Sequence, residues 1–113
     1  MLSSDKFLNY LNTLDVPGKV IPYDEMTEVI VWGYQLIRRA VLDQGNILKI
    51  DKKSVSWYKK DQRVGQLNVS ISFLDAFEAI HHHDEVVREH LKQTTKTDDQ
   101  TIYEFIFSEN HKL

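Results

Sequence analysis

The sequence predicts a small α+β domain in which an antiparallel sheet of three to four strands is covered on one side by helices. Its 113 residues fit a single domain, residues 1–113, with one hydrophobic core. A long segment with helical periodicity occupies residues 24–44, and short runs with strand alternation follow it. The predicted order of elements, α-α-β-β-β-α-β, is typical of an antiparallel sheet with helices on one face.

Two helices are predicted before the first strand. Ser4 can cap the first helix, whose apolar stripe consists of Phe7, Leu8, Leu11 and Leu14. The second helix, over residues 24–44, ends at the stop signal Gly45-Asn46. Its main apolar stripe consists of Met26, Val29, Ile30, Ile37, Ala40 and Val41.

The second predicted helix also has apolar side chains outside its main stripe, namely Val31, Trp32, Tyr34 and Leu42. A helix that is apolar on two sides is either the central helix of a fold or a contact surface. A domain of this size has difficulty burying both sides. We therefore predict that these four residues bind another protein or a second copy of the chain.

Alternation of apolar and polar residues predicts strands at residues 47–50, 55–58 and 67–71, with a hairpin loop at residues 51–54. In the third strand, Leu67, Val69 and Ile71 point to one covered face. A helix is predicted to begin at Ser72, and residues 94–100 read as a polar loop. Residues 101–107 alternate with so many apolar side chains that we expect a strand inside the sheet, or at an edge covered by a partner.

A cluster of histidines marks the helix that begins at Ser72, because four of the five histidines lie within residues 78–90. A continuous helix would point Asp84 into the apolar stripe formed by Phe73, Phe77, Ile80, Val87 and Leu91. A buried, unpaired carboxylate costs several kcal/mol. We therefore expect the helix to end near residues 81–83, and Asp84 to cap a second helix that runs to about residue 93.

The histidine cluster also raises the question of a metal site. Glu78, His82 and Glu85 share a face of a continuous helix and are the best ligand set in this segment, but they need further ligands from elsewhere. The HExxH pattern of zinc proteases is absent. We interpret the cluster as a corner between two helical pieces. Metal binding and pH sensing by residues 81–83 and His90 stay open at this point.

The charges of the chain are segregated along the sequence. The net charge is −3, yet residues 38–63 contain eight basic and three acidic side chains, +5 in total, which leaves −8 for the rest. Such segregation favours a basic binding face, or attraction between two faces within a monomer or across a dimer.

Basic and aromatic residues in the middle of the chain favour nucleic-acid binding as an alternative function. Bases can stack on a ring while ammonium groups meet phosphates. The residues of this alternative are Lys52, Lys53, Trp57, Lys59, Lys60 and Arg63. The competing interpretation is that Trp57 shares a face with Val55 and packs under the helices. The lysines would then discourage strand addition at an edge.

Several classes of function are disfavoured by what the sequence lacks. With no cysteine, it has no disulfides and no thiolate chemistry, which favours a reducing compartment. No apolar stretch has bilayer length and no leader pattern is visible, so we expect a cytoplasmic protein. There is no nucleophile elbow, glycine-rich phosphate loop or Walker lysine. We therefore expect no catalysis, cofactor or small-molecule substrate.

The sequence thus predicts a non-catalytic protein-binding module, such as a small cytoplasmic inhibitor, an immunity protein or a phage-type accessory protein. A homodimer is also expected, because Trp32, Tyr34 and Leu42 offer anchors and the oppositely charged regions could meet across a two-fold axis. A nucleic-acid-binding regulator is the second possibility, and a metal-dependent enzyme centred on Glu78, His82 and Glu85 is the third.

Overall fold

A computed structural model describes residues 3–14 and 25–106, with side chains described for residues 5–14 and 28–106. The helices are α1 (Ser3–Thr13), α2 (Glu25–Leu42), α3 (Phe73–His83) and α4 (Glu85–His90). The strands are β1 (Ile47–Asp51), β2 (Ser54–Lys59), β3 (Gln62–Asn68), β4 (Leu91–Lys96) and β5 (Gln100–Phe105). The predicted α+β class is confirmed, with five strands in place of three to four.

The five strands form one antiparallel sheet in the order β3-β2-β1-β5-β4. Leu48 in the central strand lies opposite Trp57 on one side and Tyr103 on the other. All three side chains are buried, whereas their neighbours along each strand are not. Because alternate residues point to opposite faces, the core lies on one face only. The other face has half-buried or exposed side chains, among them Lys49, whose Nζ lies 4.6 Å from the centre of the Tyr58 ring.

The helices pack on the buried face of the sheet and complete one hydrophobic core. The predicted stripe of α1 is confirmed, because Phe7 and Leu11 are buried. The stripe of α2 is confirmed for Val29, Ile37, Ala40 and Val41, while the side chain of Met26 lies outside the described ones. Helices α2 and α3 cross closely at Gly33, where a side chain would collide with Ile80. None of the helices in the described part of the chain has the length and apolar character needed to cross a membrane.

The prediction for the third strand was wrong in position, since β3 spans Gln62–Asn68 rather than residues 67–71. The N–H of Val69 makes one more ladder bond to the carbonyl of Lys53, at 2.7 Å, and the chain then turns. Ile71 is consequently 67% exposed rather than covered. An edge strand whose residues are almost all exposed carries little alternation, so its sequence gives a weak signal.

Strand β4 was not predicted from the sequence. From the sequence its residues read as a helix end and a polar loop, because they show no alternation of apolar and polar side chains. In the structure Leu91 is the sole buried residue of this strand. Pairing with β5 makes this segment a strand, although its own sequence pattern does not indicate one. In this pairing Leu91 lies opposite Phe105, and Lys96 lies opposite Thr101. The strand predicted at residues 101–107 is confirmed as β5, inside the sheet between β1 and β4, although Phe107 lies outside the described residues.

The end of α2 also differs in detail from the prediction. The residue that adopts a left-handed backbone there is Gln44, with φ 61°, rather than Gly45. The N–H of Gly45 donates to the carbonyl of Ala40 at 2.8 Å, which closes the last turn of the helix. A side chain at Gly45 would lie 3.3 Å from both that carbonyl and the Trp57 ring, so this position is tight.

Trp57 holds the β2–β3 hairpin against the end of α2. Its indole is 3% exposed, and its Nε1–H donates to Asp43 Oδ2 at 2.9 Å. Across the ladder the ring covers Gly65, its register partner, where any side chain would collide with it. The interpretation in which Trp57 packs under the helices is therefore confirmed.

The position of the Trp57 ring predicts the effect of a methyl group at Gly65. We expect Gly65→Ala to lower the free energy of unfolding by about 1–3 kcal/mol, because overpacking forces the ring or the strand to move. Urea unfolding followed by circular dichroism measures the change. Gln66→Ala, at the neighbouring exposed position, is the control and should stay within about 0.5 kcal/mol of the parent. Equal stability of the two variants would contradict this packing.

Candidate functional site

An apolar groove lies between α2 and the end of β3, on the helical side of the sheet. It has a volume of about 590 Å³. Its walls come from α2, from β3 with the segment that follows it, and from the first residue of α3. The lining residues are Glu28, Val29, Trp32, Leu36, Leu67, Asn68, Val69, Ser70 and Phe73. We call this feature the α2–β3 groove.

The groove lies where the described helices leave the helical side of β3 partly uncovered. Leu67 pairs with Val55 and so points to the helical side, yet it is 46% exposed, whereas Val55 is fully buried. The facing wall is formed by Glu28, Trp32 and Leu36, which are four residues apart and therefore lie on one side of α2. Trp32 is 53% exposed. Large apolar side chains that face each other across an open groove are typical of a surface for a partner.

The structure separates the four residues of α2 that were predicted to bind a protein. Trp32 lines the groove, whereas Val31, Tyr34 and Leu42 do not. Leu42 is 50% exposed, but it lies ten residues further along the helix, about 15 Å away at the helical rise. Val31 is half-buried. Sequence reasoning missed Leu67 and Val69 as site residues, because their alternation had placed them on a covered face.

Tyr34 is held by the carboxylate of Asp84. Its hydroxyl donates to Asp84 Oδ2 at 2.9 Å, and the hydroxyl of Tyr10 donates to the same oxygen at 3.0 Å. Burial, followed by the hydrogen bond to Asp84, raises the pKa of both tyrosines. Tyr34 therefore contributes to the packing of α1 and α2 against the α3–α4 corner.

Asp84 is also the predicted cap of a second helix, and this prediction is confirmed. Its Oδ1 accepts from the N–H groups of Val86 and Val87 at 3.0 and 3.1 Å. Its own N–H donates to the carbonyl of Ile80 and so closes α3. The chain thus turns at one residue that ends one helix and starts the next, although α4 ends at His90 rather than near residue 93.

The histidines serve this corner as structural groups. His81 Nε2–H donates to the carbonyl of Leu91 at 2.8 Å, since a carbonyl can only accept. His90 Nδ1–H donates to the carbonyl of Val86 at 2.9 Å, and its ring stacks on Phe7 at 4.3 Å. His82 and His83 are exposed. The interpretation of the cluster as a helical corner is confirmed.

The structure does not bring the predicted metal ligands together. The break at Asp84 places Glu85 on α4 and so removes the spacing it would share with His82 on one continuous helix. Glu78 accepts from Lys96 Nζ at 2.5 Å and from the hydroxyl of Thr101 at 2.8 Å. Burial opposes ionisation of Glu78, but these two donors outweigh it and lower its pKa. Among the described side chains, in residues 5–14 and 28–106, no three from His, Asp or Glu are placed to share an ion.

The basic residues of the nucleic-acid alternative fall into two groups. Lys52 and Lys53 form the β1–β2 turn, while Lys59, Lys60 and Arg63 surround the β2–β3 turn. These turns lie at opposite ends of β2, about 20 Å apart for six residues in extended conformation. Because Trp57 is enclosed, it cannot stack on a base, and the predicted combination of ring and lysines is not present as one surface.

The β1–β2 turn is ordered by Asp51. Its Oδ1 accepts from the N–H groups of Lys53 and Ser54 at 2.8 and 2.6 Å. Although burial acts in the other direction, these backbone donors lower the pKa of Asp51. Lys52 and Lys53 are therefore presented on a defined turn rather than on a loose loop.

Comparison of the chain with protein-family models, with curated proteins and with solved structures returns no match. The groove and the charges around it therefore carry the functional interpretation.

The contacts of Asp84 predict a large effect of its removal. Asp84→Ala should lower the free energy of unfolding by about 2–4 kcal/mol, because it removes a helix cap and a charged acceptor of two hydroxyls. Asp84→Asn keeps a capping oxygen and should cost about 1 kcal/mol. Glu89→Ala on α4 is the exposed control and should change little. Urea unfolding measures all three, and an Ala variant as stable as the Asn variant would contradict the role of the cap.

The raised pKa of Tyr34 predicts how stability depends on alkaline pH. In the unfolded chain Tyr34 ionises near its ordinary pKa of about 10, whereas the folded chain keeps it protonated. The unfolded state then binds fewer protons, so stability falls as pH rises above about 10. Tyr34→Phe should be about 1 kcal/mol less stable at pH 8. This difference in the free energy of unfolding between the parent and the variant should become smaller at pH 10.5. Urea unfolding at the two pH values measures it, and a larger difference at pH 10.5 would contradict the raised pKa of Tyr34.

Proposed function

We propose that the protein is a non-catalytic, cytoplasmic protein-binding module that holds its partner in the α2–β3 groove. One observation carries the proposal: Trp32 and Leu67 face the same groove with about half of each side chain exposed. Buried interface centres are enriched in aromatic residues, and tryptophan is among the commonest hot spots. The absence of cysteine supports a reducing compartment.

The groove suits a protein better than a small molecule. Small-molecule sites are clefts that bury most of the ligand's surface. Here Trp32 and Leu67 stay about half exposed, so the groove is too open to surround a small ligand. Among the described residues, the side chains with shifted pKa values, which often mark catalytic sites, lie elsewhere. They are Tyr10, Tyr34, Asp51, Glu78 and Tyr103.

A small binding module of this kind fits an inhibitor, an immunity protein or an accessory protein, each of which acts by occupying a surface of its target. Self-association is a second proposal, supported by Leu42, which is exposed at the far end of α2. The two proposals concern separate surfaces. Sedimentation equilibrium at micromolar concentration tests self-association, and a dimer of the 13.3 kDa chain that dissociates in Leu42→Glu would support it.

Site-specific photocrosslinking tests the groove directly. Benzoylphenylalanine placed at Glu28, which is exposed and lines the groove, should yield a discrete adduct in cells of the native host. Adding Trp32→Ala should reduce the adduct by at least about tenfold, because loss of a hot-spot tryptophan weakens binding by 2 kcal/mol or more. Gel electrophoresis with mass spectrometry measures and identifies the adduct.

The matched control places the same crosslinker at Glu89, an exposed position on α4. An adduct from Glu28 alone supports the groove as the binding surface. The same adduct from both positions, an adduct indifferent to Trp32→Ala, or none from Glu28 would contradict the proposed function.

A further inference from the structure

The strand that borders the groove lies at the edge of the sheet. Within the described part of the chain, β3 pairs with β2 and with no other strand. The N–H of Val69 points toward β2, since it donates to Lys53. Peptide groups alternate in an antiparallel ladder, so those of Gln66 and Asn68 point away from β2. An edge with outward peptide groups can accept another strand.

The two edges of the sheet differ in how they are protected. The edge strand β4 carries Lys92 and Lys96, and lysine on an edge opposes the addition of a strand. Residues 64–68 of β3 carry no charge and expose two apolar side chains, Val64 and Leu67. Both edges have an irregularity in register, but in β3 it falls before Gly65, so pairing is regular from Gly65 to Asn68.

The geometry of β3 connects its edge to the groove. Leu67 points to the helical side, where Trp32 forms the opposite wall. A strand added to β3 would lie about 4.8 Å beyond it, with every second side chain on the helical side. Apolar residues at those positions would cover Leu67 and Trp32 together.

The charges at the ends of β3 indicate what kind of strand would bind. Lys52 and Lys53 lie beside the Asn68 end, since the carbonyl of Lys53 bonds to Val69. Lys59, Lys60 and Arg63 lie at the other end, and all five side chains are exposed. Nearby acids are Asp43, which accepts from Trp57 and pairs with Arg39, Asp51, which is engaged in its turn, and Asp61. Glu28 is the one acid among the lining residues, so a bound segment needs acidic residues toward its ends and apolar residues in its middle.

The same charges disfavour a second copy of this chain at β3. Antiparallel pairing of two β3 strands about a two-fold axis would place Lys59 and Lys60 of one copy near Lys52 and Lys53 of the other. Like charges opposite each other across strands are destabilising, and such juxtaposition suppresses wrong partners.

We propose that the partner binds as an extended acidic segment, which pairs with the outer edge of β3 as a sixth strand and inserts alternate apolar side chains into the α2–β3 groove. This proposal rests on the proposed function and specifies its ligand. Backbone hydrogen bonds to Gln66 and Asn68 set the register of the bound segment. Trp32 and Leu67 contact its apolar side chains. The basic residues of the β1–β2 and β2–β3 turns select acidic residues at its ends.

Selection from a random nonapeptide display library on the 113-residue chain tests the proposal. The expected peptides alternate apolar and polar residues and carry Asp or Glu toward both ends. A synthetic copy of an enriched peptide, labelled with fluorescein, should bind in an anisotropy titration. N-methylation of the peptide amides that face β3 should raise the Kd at least tenfold, whereas N-methylation of the alternate amides should have little effect.

Variants of the protein separate the parts of the site. Leu67→Asp should raise the Kd of the peptide at least tenfold, and so should the pair Lys53→Glu and Lys60→Glu. The double variant should also weaken the dependence of the Kd on salt. Lys92→Glu, on the opposite edge strand, is the matched control and should leave the Kd unchanged.

Other outcomes overturn the proposal. These are no enrichment, enriched peptides that are basic or bind as helices, or binding that tolerates N-methylation at every position. A single-stranded oligonucleotide that binds and is lost in the double lysine variant, with no acidic peptide enriched, would point to nucleic acid. If the crosslink at Glu28 persists while no strand-forming peptide binds, the proposed function stands and only the extended acidic ligand is wrong.

Discussion

The carboxylate of Asp84 is the contact on which the helical layer depends. It accepts hydrogen bonds from Tyr10 of α1, from Tyr34 of α2 and from the first turn of α4. Because Asp84 itself ends α3, its one partly buried side chain fixes α3 relative to these three helices. A charged acceptor of this kind is stabilising only when its donors are in place, so the corner and the packing of α1 and α2 form together.

The turn at Asp84 also determines how the sheet is completed. Because α3 ends there and α4 starts in another direction, the chain reaches Leu91 at the position where β4 begins beside β5. His81 donates to the carbonyl of Leu91, and His90 stacks on Phe7. The histidines thus stabilise the exit from the corner, and the sheet gains its fifth strand at the side opposite β3.

The described helices cover the middle of the five-stranded sheet more completely than its β3 edge, and this difference produces the site. The helices enclose Leu48, Val55 and Tyr103 completely. At β3 the cover ends, and Leu67 faces the exposed Trp32 across open space. Trp57 keeps this edge in position by joining the hairpin to Asp43 at the end of α2. The groove is therefore a consequence of the fold, and its walls come mainly from α2 and β3, together with the connecting segment that follows β3.

The sequence allowed the prediction of those parts whose residues are periodic or whose burial would be costly. The stripes of α1 and α2 predicted two helices, and the cost of burying Asp84 predicted a break with a cap. Strand β4 could not be predicted, because pairing with β5 decides its conformation. The groove could not be predicted either, because Trp32 and Leu67 come to face each other only after the sheet has formed. Their solvent exposure depends on how far the helices cover the sheet, which no local pattern encodes.

The two tryptophans give this chain a pair of independent optical reporters. Trp57 is enclosed by apolar groups and hydrogen-bonded, so its emission should be blue-shifted and should change when the core opens. Trp32 is in contact with water, and its emission should shift to shorter wavelength when the groove is covered. Unfolding and occupancy of the groove should therefore shift the emission of the native protein in opposite directions, without an added label.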